Sequence, residues 1–275
     1  MWDKDHVIGR RFVPKGAFNN QWNIQVNVHK ECNIKKSELE DDISAITMQP
    51  DGLGRHYSED KNLKKEAERK GKSISRLTGR PVKDSHTTIN IKATVAKGED
   101  FKLSFTSPPQ ISSARIYNLC LLQMRAFFYF ITYEKEKRIG HFWPGQFHLV
   151  LATMKDDWGN PKNIKFMETV VDWELRFYGI GADTFYKVII RRHPDAACWS
   201  WAVEWNSNYR VIGFFGEEEP IKKISNTFPD QNSTLLGKGN LVTGEQVEFS
   251  YHPQRRLNED EDKMFYWEDD GTEVE

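Results

Sequence analysis

Apolar and polar residues alternate with a period of two along Trp22-Asn23-Ile24-Gln25-Val26-Asn27-Val28, the pattern of a half-buried strand. Past Asn33 the rhythm changes, and Ile34, Leu39, Ile43 and Ile46 fall at helical intervals. With another short extended stretch over residues 7–13, the opening of the chain reads as strand, loop, strand, helix. Residues 50–85 are polar. Asp51-Gly52 and Gly54 act there as breakers ahead of a helix expected over 59–70. From residue 86 onward strands are expected over 87–95, 101–105, 147–153, 173–180, 184–191, 199–205 and 209–215, several at hairpin spacing. Among them residues 111–137 place Ile116, Leu119, Leu122, Met124, Phe127, Phe128 and Ile131 on a helix buried on most sides. Arg115, Asn118, Gln123 and Arg125 interrupt that stretch, and a bilayer span requires about 20 predominantly apolar residues. It reads as a core helix, with no membrane partner.

The predicted fold class is α+β: a small strand–strand–helix module over 1–49, a basic helical linker over 50–85, and a larger, mostly antiparallel β domain over 86–257 packed on a long helix. An acidic tail follows over 258–275, with Glu259, Asp260, Glu261, Asp262, Glu268, Asp269, Asp270, Glu273 and Glu275, and is expected to be mobile. In Cys198-Trp199-Ser200-Trp201-Ala202-Val203-Glu204-Trp205, period two puts the three tryptophans on one face. Plain core packing is the favoured reading of that face, and a base-stacking surface the other.

Composition narrows the classes. The 275 residues are 38% hydrophobic and 13% aromatic, enough for a substantial core. A formal net charge of -1 gives no global attraction to DNA or an anionic membrane, so any basic surface must be local. One such region spans 61–83, where Lys61, Lys64, Lys65, Arg69, Lys70, Lys72, Arg76, Arg80 and Lys83 face only Glu66 and Glu68. A solvated connecting helix is the plain alternative for it. Cys32, Cys120 and Cys198, odd in number and far apart, argue for a reducing compartment. Met1-Trp2-Asp3-Lys4-Asp5-His6 lacks the apolar run of a secretory signal, so a cytoplasmic location is expected.

The candidate chemistry lies at the start. Asp5-His6-Val7-Ile8 precedes His29-Lys30-Glu31-Cys32-Asn33-Ile34-Lys35-Lys36-Ser37. Phosphodiester hydrolysis needs an activated water and a charge sink for the transition state. A neutral imidazole can take a proton from water near pH 7. A hard cation such as Mg²⁺ prefers oxygen donors, which Asp and Asn supply. Asp5, His6 and Asn33 meet those needs, and the free N–H groups at the start of the following helix, with Lys35 and Lys36, would favour a phosphate.

These residues resemble the HNH, or ββα-metal, endonucleases over about the first 45 positions. The match consists of Asp5-His6-Val7-Ile8, then Asn23-Ile24-Gln25, then His29-x-x-Cys32-Asn33-x-x-Lys36-Ser37. The resemblance implies a ββα-metal module in which His6 is the general base, Asp5 and Asn33 hold Mg²⁺ or Mn²⁺, and Asn23 orients the imidazole. Asn27 and Asn20 are the alternatives for that last role. Asn33 stands where the family name implies His. Relatives with a structural zinc carry paired Cys-x-x-Cys motifs, of which only His29-x-x-Cys32 has a counterpart, so no structural zinc is expected. His141, His148, His193 and His252 show no ligand spacing and receive no role.

The function expected on these grounds is metal-dependent DNA endonuclease activity, with Lys35, Lys36, Lys64, Lys65, Arg69 and Lys70 gripping phosphates. The alternative is a non-catalytic nucleic-acid-binding or regulatory protein that retains the ββα element as a degenerate scaffold. A remoter one makes the C-terminal domain the effector, binding a protein or small ligand through its aromatic face.

Overall fold

The computed structural model describes residues 2–50, 59–85, 87–94, 100–107, 111–230, 233–240 and 246–267. The breakers Asp51, Gly52 and Gly54, Val95 at the end of one expected strand, and the acidic residues 268–275 lie outside them. The protein is α+β, with antiparallel sheets and five α-helices among the described residues.

Strand β1 (Trp2–His6) pairs antiparallel with β2 (Gln25–His29), and helix α1 (Lys30–Thr47) follows directly. The expected order of strand, loop, strand and helix is therefore present. The first strand lies earlier than the sequence pattern placed it, because residues 7–20 are folded by turns: Phe12 N donates to Gly9 O, Ala17 N to Pro14 O and Asn19 N to Gly16 O. Val7, Ile8, Phe12 and Val13 form no strand and are buried as an apolar plug. Helix α2 (Lys61–Gly71) starts at Asp60, whose carboxylate caps Leu63 N at 2.8 Å.

The main sheet is five-stranded, in the order β5 (Gln146–Met154), β9 (Tyr209–Gly216), β8 (Cys198–Trp205), β7 (Tyr186–Arg192), β6 (Glu174–Gly181). All its pairings are antiparallel. Helix α3 (Ser113–Ile131) covers one face with Ile116, Leu119, Cys120, Met124, Phe127 and Phe128. The tryptophans of β8 point to this side, and Trp201 and Trp205 are fully buried there as core. Gly213 makes room for Trp201, since a Cβ on it would stand 2.6 Å from the indole. The opposite face is covered by α4 (Pro161–Val170) and α5 (Glu218–Ser225) through Phe166, Met167, Val170 and Ile221. Sequence periodicity did not announce either helix, although Asn160 as N-cap and Pro161 at the first helical position mark the start of α4.

Two hairpins far apart in the chain, β3 (Thr87–Thr94) with β4 (Asp100–Ser107) and β10 (Thr234–Asn240) with β11 (Gln246–Tyr251), join through β10 and β3 into a four-stranded sheet of order β11-β10-β3-β4. Neither β10 nor β11 was expected from the pattern.

Within the segment 2–50, Val7, Ile8, Phe12, Ile43 and Met48 share one apolar cluster with α3 and the main sheet. Polar ties reinforce the union. In the β8–β9 turn, Asn206 and Ser207 adopt φ of 55° and 52°, the left-handed geometry of a tight hairpin. Asn206 Nδ2 donates to Thr47 Oγ1 and Asn208 Nδ2 to Thr47 O, each at 2.9 Å, the second satisfying a carbonyl at the end of α1.

The acidic segment, expected to be mobile from residue 258, is docked as far as residue 267. Met264 is 2% exposed in the second apolar cluster. Asp262 accepts from Arg210 at 3.1 and 2.6 Å, and Arg210 is itself 1% exposed. A buried guanidinium needs a counter-charge, and Glu204 and Asp262 supply it from strand and tail. Asp262→Ala is expected to lower stability by about 1–3 kcal/mol. An unchanged urea midpoint in that variant would show that the segment contributes no latch.

Candidate functional site

Pleating of β1 sends alternate side chains to opposite faces, and the contacts show which face each takes. Asp3 and Asp5 point to α1, where Asn33 Nδ2 donates to Asp3 Oδ2 at 2.8 Å and Lys36 reaches Asp5. His6 lies on the other face, paired across the strands with Gln25. The Gln25 Nε2 amide stands 2.8 Å from His6 Nε2. An amide nitrogen can only donate, so the ring nitrogen accepts, as in a neutral imidazole protonated at Nδ1. Partial burial, and then the nearby Arg10 charge, lower the His6 pKa below its ordinary value.

The Lys36 ammonium is the centre of the element. Its Nζ lies 3.2 and 3.1 Å from the two Asp5 oxygens, 2.9 Å from Glu40 Oε1 and 2.7 Å from the His6 carbonyl. Its side chain is 5% exposed, and both carboxylates are nearly as buried. Glu40 also accepts from Gly9 N at 3.0 Å. Only glycine permits this approach, since a Cβ at position 9 would stand 2.1 Å from Glu40 Oε2. Burial raises the Glu40 pKa against the pull of Lys36.

Each expected site residue can now be placed. Asp5 and Asn33 come to the same strand–helix interface but serve different partners, Lys36 and Asp3, and His6 is on the far side of the strand. A divalent ion would need the Asp5 oxygens that Lys36 engages, so these residues, as arranged, do not fit one. Among the described residues no three or more His, Cys, Asp or Glu side chains are grouped for a metal. Asn23 does not orient the imidazole. Its side chain clasps Ile8, donating to the carbonyl at 2.8 Å and accepting from the amide at 3.5 Å, and Gln25 takes the expected role. Asn23 lies ahead of β2 and closes the chain turn beyond β1, whereas Gln25 is the register partner of His6.

The basic residues divide in two. Lys36 and Lys70 are 4% and 5% exposed and reach no phosphate in this arrangement. Lys70 instead ties α2 to the Arg11 carbonyl and to Ser44 Oγ, and burial lowers its pKa to about 8. Lys35, Lys65 and Arg69 are exposed, as are Lys61, Lys72, Arg76, Arg80 and Lys83. Lys64 is partly covered and pairs with Glu59 at 2.8 Å, and Arg69 pairs with Glu66. The loop after α2 is held by Asp42, which is 3% exposed and accepts from Arg76 N at 2.9 Å while pairing with Arg115 of α3 at 2.9 Å. A groove of about 360 Å³, lined in part by Gln49, Gly71, Lys72 and Lys83, opens beside these cations.

Compared with known proteins, the chain matches no family model, no curated protein and no solved structure. Function has to be argued from the geometry.

Sequence reasoning missed one further polar pair, His252 Nε2 with Asp157 Oδ2 at 2.9 Å, where Asn160 Nδ2 also donates to the same oxygen. The two residues are 95 positions apart, and no local spacing signals them.

Lys36→Met would leave Asp5 and Glu40 buried without their counter-charge, a loss of about 3–5 kcal/mol. Carboxylates so placed have raised folded-state pKa values, so the variant is expected to lose stability as pH rises above the ordinary carboxylate range. Melts in which wild type and variant show the same pH dependence would refute the coupling. For Lys70 the sign is opposite. Its folded pKa of about 8 lies below the unfolded lysine value near 10.4, so the unfolded chain binds more protons between them and stability attributable to Lys70 rises with pH across that window. Lys70→Met removes this contribution, and an unaltered alkaline stability profile in that variant would exclude it.

Proposed function

We propose that the chain binds nucleic acid through the exposed cations of its 61–83 segment, with the ββα element as scaffold. Lys36 carries the choice of binding over metal-dependent cutting. Its ammonium engages the carboxylate oxygens that a hydrolytic ion would require, and it is fixed there by Glu40 and the His6 carbonyl. A charged side chain held in a buried cluster is costly to displace, because either carboxylate would be left without a counter-charge.

The basic segment supports the binding half of the reading. Lys61, Lys65, Lys72, Arg76, Arg80 and Lys83 are solvent-exposed on a helix and a loop anchored through Asp42. A rigid array of cations suits phosphates, and its attraction is independent of base sequence. Lys35 adds an exposed cation near the start of α1. The proposed partner is DNA.

The endonuclease reading implied by the sequence resemblance keeps one supporting observation. His6 is partly accessible, and its lowered pKa keeps the imidazole neutral near pH 7, the state a general base needs. The readings separate in one set of assays. Binding to a duplex oligonucleotide should weaken steeply with salt. Replacing Lys65, Lys72, Arg76 and Arg80 together by Ala should reduce the salt slope by about one for each phosphate that is no longer neutralised. Supercoiled plasmid should stay uncut in Mg²⁺ or Mn²⁺. Unchanged affinity in the fourfold variant would remove the basic segment from the interface, and nicking that vanishes in His6→Ala would establish hydrolysis in place of binding alone.

A further inference from the structure

A second feature lies along the outer edge of the main sheet. Tyr117, Leu121 and Arg125 fall on one row of α3 at i, i+4 and i+8, with steps of about 6 Å. Facing them are Trp143 and Phe147, and the two sides enclose an open groove of about 320 Å³. Its lining includes one cation and no carboxylate. The helical row continues to Tyr129, which packs at 5.9 Å against Phe142, a ring that is 65% exposed.

The rings are fixed from behind. Trp143 stacks on Phe215 at 4.3 Å, and Phe147 stacks on the buried Trp201 at 5.0 Å. Tyr117 meets Phe147 edge-on at 5.3 Å, and its hydroxyl donates to the Phe147 carbonyl at 3.2 Å. Aromatic surfaces already ordered by core contacts lose little freedom on binding. Arg125 is exposed and makes no ion pair among the described residues.

We infer that this groove is a subsite for single-stranded nucleic acid, with bases packing on Tyr117 and Trp143 and a phosphate held by Arg125. The inference rests on the nucleic-acid reading and extends it to a class of strand. Aromatic rings interleaved with a cation match a ligand whose repeating unit is a flat base and an anion, and stacking of this kind is tolerant of sequence. The competing occupant, an extended peptide added to the edge of β5, finds the Phe147 carbonyl already engaged by Tyr117. A duplex keeps its bases paired and stacked, so only the basic segment is left to hold it.

The test uses the full chain, a fluorescein-labelled oligothymidylate of about a dozen nucleotides, and a duplex of similar length, both read by anisotropy. Trp143→Leu, Tyr117→Ser and Arg125→Glu are each expected to weaken oligothymidylate binding on the order of tenfold, while duplex binding is retained. Unchanged oligothymidylate affinity with intact duplex binding overturns the groove and leaves the basic segment standing. Equal losses on both probes, or displacement of the strand by a proline-rich peptide, also overturn it. Binding of neither probe by the unmodified protein overturns the broader reading as well. Should Trp143→Leu fail to fold by circular dichroism, Tyr117→Ser and Arg125→Glu decide the matter, because both positions are exposed.

Discussion

Strands β8 and β9 carry large side chains on both faces, and most of the main fold is an answer to that constraint. Trp201, Val203, Trp205, Val211 and Phe215 require cover on one side, and Ala202, Ile212 and Phe214 on the other. A single helix cannot cover a five-stranded face. The first is therefore closed by α3 together with the plug of Val7, Ile8 and Phe12, and the second by α4, α5 and the segment ending near Met264. Burial of apolar area at about 25 cal/mol per Å² makes such a doubly covered sheet the main source of stability. It also explains why the opening ββα element is no free module: its apolar residues complete a core whose larger part lies well over a hundred positions later.

The peripheral segments are joined to this core by buried charge. Lys36 ties β1 to α1, Lys70 ties α2 to the 7–20 loop, Asp42 joins α1, α3 and the loop after α2, and Arg210 ties the C-terminal segment to β8 and β9. Pairs of this kind contribute modestly once desolvation is counted, but losing one partner is severe. They define which segments meet. The same arrangement limits chemistry, because a carboxylate committed to an internal ammonium is neutralised and is not open to a metal. Open to solvent are the partly covered imidazole with Gln25, the exposed cations of 61–83 and the aromatic groove beside β5.

Part of this was legible in the chain. Strand-forming runs bounded by turn residues marked the strands of the main sheet, and the helical spacing of Ile116, Leu119, Phe127 and Phe128 marked α3, because burial on one side imposes the helix period. The three tryptophans of β8 fell on one face through the strand period of two. Asp5, His6 and Asn33 were legible as residue types suited to a cation and a base, and the order of strands and helix around them was read correctly. Period alone could not locate the start of β1, since Val7, Ile8, Phe12 and Val13 are apolar for a plug and not for a strand. Nor did it find β10 and β11, α4 or α5.

The sequence by itself determined the elements of the main sheet, the amphipathic rows that bury them and the local density of charge, because these depend on neighbours within a few residues. Tertiary structure alone decided which charges are paired internally and which face solvent. Lys35 and Lys36 are adjacent, yet one is exposed and the other is enclosed by Asp5 and Glu40. Asp262 sits in a run of acids that reads as a solvated tail, yet it neutralises an arginine about fifty positions away in the chain. Coulomb attraction in a buried site acts through space, and its partners are fixed only when the chain has folded.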